Sequence, residues 1–185
     1  QMGEPDFDRP VNIRDAAKKA LEEGWTHYSS SAGLLQARQA IAKHVTETRG
    51  FKVNPDMVVI TPGGKPIMNF AITACVDEGD EVIYPNPGYP IYESVINFIG
   101  AKAVPLPLKE DRGFAFDLED LRALITPRTR MLILNSPQNP TGGILGPDLL
   151  KGIAELCVKH DIIVLCDEIY SRIIYGNAKH VSIAS

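Results

Sequence analysis

The stretch Arg130-Met-Leu-Ile-Leu-Asn135-Ser-Pro-Gln-Asn-Pro-Thr-Gly142 is a short apolar run followed at once by a polar loop. An apolar run of this length without polar alternation is typical of a strand buried on both faces of a parallel sheet. The loop contains Asn, Pro and Gly, which end strands and form turns. Ligands of open α/β sheets bind where strands end and helices begin, so this loop is a candidate binding segment.

Further apolar runs, separated by segments with helical spacing, occur on both sides of this stretch. Besides Arg130–Asn135, the sequence predicts four strands: Met57–Thr61, Glu81–Tyr84, Lys102–Leu106 and Ile162–Cys166. Apolar residues at helical spacing predict six helices: Asn12–Glu23, Leu34–Thr48, Ile67–Asp77, Tyr89–Ile99, Leu118–Leu124 and Pro147–His160. Gly24 and Gly50 end the first two and are predicted to take the left-handed cap conformation. The pattern predicts an α/β fold, a mostly parallel sheet with helices on both faces in three layers.

Composition limits the class of protein. The chain has 185 residues, of which 44% are hydrophobic and 23% are charged, and its formal net charge is −4. These values are typical of a globular domain and exclude collagen-like, low-complexity and disordered chains. The mildly acidic balance provides no basic surface for nucleic acid or an anionic membrane. No apolar run approaches the roughly 20 residues of a membrane span.

Cysteine usage predicts a cellular compartment, and the two chain ends predict that the sequence is part of a longer protein. Cys75, Cys157 and Cys166 stand in apolar contexts without a CxxC pair, so we predict three reduced, buried thiols, no metal site and a cytoplasmic location. The first residues have neither the basic start nor the hydrophobic core of a signal peptide. Because residues 3–10 are irregular and the chain stops at Ser185 without a cap, we expect the sequence to be part of a longer protein.

A glycine-rich turn follows the first predicted strand. Gly63, Gly64 and Lys65 precede a predicted helix, where free backbone N–H groups and the helix dipole favour an anion such as phosphate. An ordinary turn explains the Gly-Gly pair equally well. A nucleotide-binding P-loop is excluded, because Val59 and Pro66 occupy the positions at which that motif requires Gly and Ser or Thr.

Three further junctions carry chemically distinctive side chains. Asp167 ends the most apolar strand and therefore requires a cationic or proton-donating partner; one alternative to a functional role is a structural ion pair with Arg or Lys. Asn139 lies in the Pro-rich loop, where it either points into a cleft or forms an ordinary turn. Tyr89 and Tyr170 follow two of the strands and, taken singly, are read as packed aromatic residues with satisfied hydroxyl groups.

Taken together, these motifs resemble one family, the class I/II pyridoxal-phosphate-dependent aminotransferases of the aspartate aminotransferase fold (fold type I). The resemblance covers nearly the whole chain and includes Gly3-Glu-Pro-Asp-Phe-Asp8 and Thr26-His-Tyr28-Ser-Ser-Ser-Ala-Gly33. Its most specific part is Asn135-Ser-Pro-Gln-Asn-Pro-Thr-Gly142 followed by Asp167-Glu-Ile-Tyr170. Within it, Gln138 is a minor departure that we expect to be neutral, because many relatives have Asn there. The resemblance implies pyridoxal 5′-phosphate as cofactor, amino acids and 2-oxo acids as substrates, and a homodimer.

The resemblance assigns the phosphate end of the cofactor to the first junction. Gly63, Gly64 and Lys65 correspond to the backbone cradle of the phosphate. Tyr28 corresponds to a tyrosine that reaches across the dimer interface to the phosphate in the neighbouring subunit. The first junction is therefore expected to hold the cofactor by its anionic group.

The ring end of the cofactor is assigned to the other junctions. Tyr89 corresponds to the ring that stacks on the pyridine. Asp167 corresponds to the carboxylate that keeps the pyridine nitrogen protonated, so that the ring accepts electrons when the substrate Cα–H bond breaks. Asn139 and Tyr170 correspond to the donors to the phenolic oxygen of the cofactor. Gly3 and, again, Asn139 correspond to residues beside the bound substrate.

The catalytic lysine of the family, which forms the Schiff base, is expected in a Ser-Lys motif beyond Ser185, so no catalytic residue is assigned within this chain. Lys65 belongs to the phosphate turn, and Lys179 lies in a polar loop without a preceding Ser. We predict that residues 1–56 are an N-terminal segment leading into the large domain and that residues 57–185 are part of that cofactor-binding domain. The rest of the large domain and the small domain are expected outside the chain.

The missing part of the sheet leads to a structural prediction. The resemblance implies that two strands beyond Ser185 lie between Met57–Thr61 and Arg130–Asn135. We therefore predict that these two strands either pair directly or have exposed edges that another chain fills, because unpaired buried edges promote aggregation.

Three functions stay open at this point. The first is an aminotransferase, of which this chain alone is an inactive part. The second is a non-catalytic domain that binds the cofactor or a phosphate. The third is a lyase or synthase on the same scaffold, such as a carbon–sulfur lyase or an aminocyclopropane carboxylate synthase.

Overall fold

A computed structural model describes residues 6–185, and the predicted substrate residue Gly3 lies outside this range. The strands are β1 (Glu81–Asn86), β2 (Lys102–Pro107), β3 (Thr129–Asn135) and β4 (Ile163–Asp167). The helices are α1 (Val11–Glu22), α2 (Leu35–Arg49), α3 (Lys65–Cys75), α4 (Ile91–Phe98), α5 (Leu118–Arg122) and α6 (Pro147–His160). Two short 3-10 helices, Pro55–Met57 and Glu110–Arg112, complete the elements.

The four strands form one parallel sheet in the order β2-β1-β3-β4. Parallel pairing brings the carboxyl ends of all four strands to the same side of the sheet, and it places Asn135 of β3 directly beside Asp167 of β4. The four later predicted strands are therefore confirmed to within two residues at each end. The two junction motifs that are most specific in the sequence become neighbours in space.

Helices cover both faces of the sheet. On one face, Val82 and Met131 of the strands pack against Ile72 of α3 and Ile96 of α4. On the other face, Ile83 and Leu132 pack with residues of α5 and α6: Leu121, Leu150, Ile153 and Leu156. Because the middles of β1 and β3, residues 82–84 and 131–134, contribute buried side chains to both clusters, these residues are apolar without alternation. The predicted α/β fold in three layers is confirmed.

Residues 57–61 differ from the prediction of a first strand. After the 3-10 helix Pro55–Met57 the backbone is extended at Val58, but none of the described residues pairs with this segment as a strand. Its one recorded backbone link to a distant part of the described chain is a 2.9 Å hydrogen bond from the Ile60 N–H to the Ala32 carbonyl. The prediction of a strand at Met57–Thr61 is wrong here because an extended segment becomes a strand only when a neighbour completes its hydrogen bonds.

The prediction about the edges of the sheet is also wrong for β3. Thr129–Asn135 has β1 on one side and β4 on the other, so it does not pair with residues 57–61 and has no free edge. Among the described residues, the edges of the sheet belong to β2 and β4. Sequence order did not reveal this, because β3 lies between β4, the next strand in the chain, and β1, which is not its neighbour in the chain.

The N-terminal helices are confirmed at nearly their predicted bounds. Gly24 and Gly50 take the left-handed conformation with φ of 81° and 78°. α1 buries none of its residues and α2 buries only Ala42, so these helices lie on the surface of the described structure. No helix within residues 6–185 has the length and apolar character needed to cross a membrane.

The three cysteines are free, but they differ in burial. Cys157 is buried, as predicted, whereas Cys75 and Cys166 are partly exposed, so the prediction of three buried thiols holds for one of them. Burial raises the pKa of the Cys157 thiol to about 11. Burial and the nearby Glu168 carboxylate raise the pKa of the Cys166 thiol to about 12. In the described part of the chain, no group of His, Cys, Asp and Glu residues could hold a metal ion.

Candidate functional site

The buried amide of Asn135 holds the loop after β3 against the end of β4. Its Nδ2 donates to the Asp167 carbonyl at 3.0 Å and to the Pro137 carbonyl at 3.2 Å. Its Oδ1 accepts a 2.7 Å hydrogen bond from the Asn139 backbone N–H. These three bonds fix where the Asn139 backbone stands relative to Asp167, because a buried amide with all partners in place has one low-energy orientation.

The Gln138 side chain holds the same loop against the loop after β1. Its Nε2 donates to the Pro87 carbonyl at 2.8 Å, while its Oε1 accepts from the Thr141 backbone at 3.1 Å and from the Thr141 hydroxyl at 2.8 Å. Gln138 is 7% exposed. The residue that the sequence marked as a minor departure therefore bridges the loop that carries Asn139 and the loop that carries Tyr89.

Asp167 is held by two hydrogen-bond donors and not by an ion pair. The Tyr92 hydroxyl donates to its Oδ2 at 2.8 Å, and the Ile169 backbone N–H donates to its Oδ1 at 3.1 Å. No Lys or Arg within residues 6–185 forms a salt bridge with it, whereas the adjacent Glu168 pairs with Arg49. The alternative of a structural ion pair at Asp167 is thereby excluded for the described residues, and the carboxylate stays available to a cationic group of a ligand.

Tyr92 is a site residue that the sequence did not indicate. It lies in the first turn of α4, is 0% exposed, and contacts the Tyr89 ring edge to face with 5.8 Å between centroids and 83° between planes. Burial, and after it the Asp167 carboxylate, raises the pKa of the Tyr92 phenol far above its ordinary value, so the hydroxyl stays a donor. Tyr92 stands three residues after Tyr89 in an apolar helix. Its sequence pattern is that of an ordinary core residue and does not indicate a role in the site.

Asn139 and Tyr170 come together beside Asp167. The Asn139 Nδ2 lies 3.5 Å from the Tyr170 hydroxyl oxygen, at the limit of a hydrogen bond. Both residues line an open cleft of about 430 Å³, whose other walls include Ile173 and Tyr175. Two side-chain donors therefore face one space at the carboxyl ends of β3 and β4.

The glycine turn stands at the start of α3. Gly63 has a φ of 97°, which disfavours any side chain, and its N–H donates to the Thr61 carbonyl at 2.9 Å. Within residues 6–185 the backbone N–H groups of Gly64 and Lys65 have no recorded acceptor, and both residues are exposed. α3 packs against α4, but no recorded hydrogen bond of the described chain joins this turn to the Asp167 cluster. The turn thus offers two free donors beside the helix that carries Tyr92.

Tyr28 is fully exposed and stands apart from the other predicted residues. The segment that follows it, Ser29–Ser31, lines a cleft of about 450 Å³ together with Thr61 and Pro62 of the glycine turn. The chain after Tyr28 thus approaches the predicted phosphate turn, although the Tyr28 side chain itself points into open space.

The family of the chain follows from comparison with known proteins. The model of the family "Aminotransferase class I and II" matches residues 1–185, which is the whole chain. The chain belongs to the class I and II aminotransferases. The resemblance predicted from the junction motifs is thereby confirmed, and the residues grouped at the ends of β3 and β4 are those that carried it.

Several aminotransferases of this family are similar to the chain. A probable aspartate/prephenate aminotransferase of Aquifex aeolicus is 42% identical over 183 residues, which are 99% of this chain and 46% of that relative. An aspartate aminotransferase of Pyrococcus horikoshii is 40% identical, over 97% of this chain and 46% of its own length. The chain therefore spans about half the length of the curated relatives that it matches.

Solved structures agree with the fold. The aromatic aminotransferase of Pyrococcus horikoshii superimposes with a TM-score of 0.94 at 38% identity, over 99% of this chain and 49% of that one. The aspartate aminotransferase of Thermus thermophilus with maleate gives a TM-score of 0.95 at 38% identity, over 98% of this chain and 47% of that one. The described sheet and helices therefore have the class I and II aminotransferase fold.

Proposed function

We propose that this chain forms the cofactor-binding part of a pyridoxal-phosphate-dependent aminotransferase, which transfers an amino group between an amino acid and a 2-oxo acid. The observation that carries the proposal is the Asp167 carboxylate at the end of β4, held by the Tyr92 hydroxyl, with no cation of the described residues beside it. Asn139 and Tyr170 stand next to it at the same end of the sheet.

The residues present fit pyridoxal phosphate at its ring nitrogen. Both groups that bond Asp167 are donors, and each bonds a different oxygen, so further lone pairs of each oxygen stay open. A carboxylate without a cationic partner is costly to bury, and a protonated ring nitrogen would supply that partner. The Tyr89 ring, which contacts Tyr92 edge to face, is the surface on which the pyridine would stack.

The remaining predicted residues fit the two oxygen-bearing parts of the cofactor. The Asn139 amide and the Tyr170 hydroxyl would donate to its phenolic oxygen. The free backbone N–H groups of Gly64 and Lys65 would hold its phosphate, and the start of α3 adds the positive end of a helix dipole. Gly63 permits the left-handed turn that would orient these two N–H groups toward the phosphate.

When bound, pyridoxal phosphate supplies an electron sink for the pair that remains when the substrate Cα–H bond breaks. Within this chain, Asp167 would hold the proton of the ring nitrogen in place, Tyr89 would orient the ring, and Asn139 would lie between the cofactor and the substrate. Gly3 is proposed to line the substrate side. The catalytic lysine stays a prediction for the sequence beyond Ser185.

The assembly and the compartment are proposals as well. A homodimer is supported by Tyr28, whose ring is fully exposed and whose following segment approaches the glycine turn. A cytoplasmic location is supported by the three free cysteines. We also propose that residues 1–56 lead into a large domain of which residues 57–185 are a part. The named relatives act on aspartate, prephenate or aromatic substrates, so the side-chain preference of this protein is left open.

The test begins with the full-length protein and a panel of amino acids offered with a 2-oxo acid. The expected result is amino transfer together with the absorbance of bound pyridoxal phosphate. Asp167→Asn is expected to weaken cofactor binding about 10- to 100-fold, because a hydrogen bond to a charged group is lost. Asp161→Asn, the same change at the exposed end of α6, is the matched control and is expected to bind like the wild type.

The same protein distinguishes the other two functions. Borohydride reduction followed by mass spectrometry is expected to place the reduced cofactor on a lysine beyond Ser185; an adduct on Lys65 or Lys179 would overturn that assignment. Cofactor binding without any adduct would support a non-catalytic binding domain. Release of ammonia or loss of a substrate side-chain group, without amino transfer, would support a lyase or synthase.

A further inference from the structure

Tyr92 joins two of the groups proposed to contact the cofactor. Its hydroxyl donates to Asp167 Oδ2 at 2.8 Å, and its ring meets the Tyr89 ring edge to face at 5.8 Å. It is buried in the cluster that α3 and α4 form on the sheet, among Ile72 and Met131. A phenylalanine would fill the same apolar space, so packing alone does not account for the hydroxyl.

The orientation of Asp167 depends on this hydroxyl. An aspartate side chain rotates about two bonds, and a single hydrogen bond leaves the plane of its carboxylate free to turn. Here the two oxygens are bonded from different elements, Oδ2 by Tyr92 of α4 and Oδ1 by the Ile169 N–H in the turn after β4. Two bonds from independent elements fix both torsions. The carboxylate is thus oriented before any ligand arrives, which reduces the entropy that binding must remove.

The orientation of Tyr92 is fixed in turn by its own surroundings. Tyr92, Val95 and Ile96 are the buried residues of α4, and they share one apolar cluster with Met68 and Ile72 of α3. A Tyr that is 0% exposed has no solvent to which its hydroxyl could turn. Asp167 Oδ2 is the acceptor that the structure offers it, and burial keeps the phenol protonated, so the donor persists across the neutral and moderately alkaline range.

We propose that Tyr92 is a positioning residue, whose hydroxyl sets the direction of the Asp167 carboxylate toward the cofactor ring nitrogen and whose ring sets the tilt of Tyr89. The inference rests on the proposed function, because it takes pyridoxal phosphate as the ligand. Tyr92 would thus set the angle between Asp167, which would bind the pyridine nitrogen, and Tyr89, which would stack on the pyridine face.

The test uses Tyr92→Phe in the full-length protein, which keeps the ring and its contact with Tyr89 and removes only the hydroxyl. The dissociation constant of pyridoxal phosphate is expected to rise about tenfold. With cofactor labelled by 15N at the ring nitrogen, the NMR shift of that nitrogen is expected to move toward the unprotonated value, and its pH midpoint is expected to fall. A purely structural role would move neither the shift nor the midpoint.

Tyr84→Phe is the matched control. Tyr84 is 6% exposed in the same cluster, and among the described residues its hydroxyl forms no hydrogen bond with Asp167. This variant is expected to keep the wild-type dissociation constant and 15N shift. A wild-type shift in both variants overturns the positioning role, whereas wild-type protein that does not bind pyridoxal phosphate overturns the proposed function and this inference with it. Equal changes in both variants would show a general effect of the cluster and would also overturn the inference.

Discussion

The side-chain amide of Gln138 donates a 2.8 Å hydrogen bond to the backbone carbonyl of Pro87 and so joins the loop after β3 to the loop after β1. These loops carry Tyr89 and Asn139, which are proposed to contact the face and the phenolic oxygen of one cofactor ring. The distance between those two groups therefore depends on the Gln138 side chain.

Replacing Gln138 by Met, which has a similar volume and no comparable donor or acceptor, tests this bridge. The change removes three hydrogen bonds, and we expect a loss of about 1–3 kcal/mol in the free energy of unfolding, together with weaker cofactor binding. Urea unfolding and absorbance titration with pyridoxal phosphate measure the two effects. Gln39→Met, on the exposed side of α2, serves as the control. Unchanged stability and affinity would show that the loops do not need the bridge.

Gly88 stands where no side chain fits. A Cβ atom built on it would lie 2.1 Å from the backbone carbonyl oxygen of Pro85, far closer than van der Waals contact. Gly88→Ala is therefore expected to displace the loop and the adjacent Tyr89, with a cost of about 1–3 kcal/mol and weaker cofactor binding. Gly146→Ala, where an added Cβ meets nothing within 4 Å, is the control for the substitution itself. Equal behaviour of the two variants in thermal unfolding and cofactor titration would contradict the expectation.

Because of Tyr92, the free energy of unfolding is expected to fall as the pH becomes alkaline. Burial raises the pKa of its phenol above the roughly 10 of an unfolded tyrosine, so its contribution is complete below pH 10 and is lost as pH rises further. Between these pKa values the native state holds a proton that the unfolded state has released, which gives stability a negative slope. Urea unfolding from pH 8 to pH 11 is expected to show a steeper loss in wild-type protein than in Tyr92→Phe. Parallel curves for the two proteins would refute this.

The thiol of Cys166 is expected to be nearly inert in the native protein. With its pKa raised to about 12, roughly one molecule in 10,000 carries the thiolate at pH 8, and the thiolate is the reactive form. Cys157, with a pKa raised to about 11, is expected to react slowly for the same reason and because it is buried. Alkylation followed by peptide mass spectrometry measures each site, and protein unfolded in urea gives the reference rate. Native labelling of Cys166 at the unfolded rate would disprove the prediction.

The sheet and its helices were predictable from local pattern. The strands Glu81–Asn86 and Thr129–Asn135 lie in the middle of the sheet, so both faces of each are apolar and the run is visible in the sequence. Helix α6 begins at Pro147 and ends at His160 as predicted, because its apolar residues recur at helical spacing and proline suits a first turn. These signals are local and need no knowledge of tertiary contacts.

The site was predictable only in part. The placement of Asn139, Asp167 and Tyr170 at one end of the sheet follows from parallel pairing, since each motif comes directly after a strand. The partner of Asp167 was not predictable, because a tyrosine in an apolar helical stripe has the pattern of a core residue whether or not its hydroxyl has a functional acceptor. The role of Gln138 was also not predictable, because its hydrogen-bond acceptor is a carbonyl 51 residues away in the chain.

The sequence by itself determined the fold class, the family and the junctions at which a ligand would bind, because these depend on apolar periodicity, turn residues and short motifs. Only the tertiary structure decided that residues 57–61 form no strand here and that β3 lies between β1 and β4. It also decided that Arg49 pairs with Glu168 and that the Tyr92 hydroxyl donates to Asp167. These outcomes depend on which distant groups meet, and a hydrogen bond or an ion pair forms only where both partners are brought within about 3–4 Å.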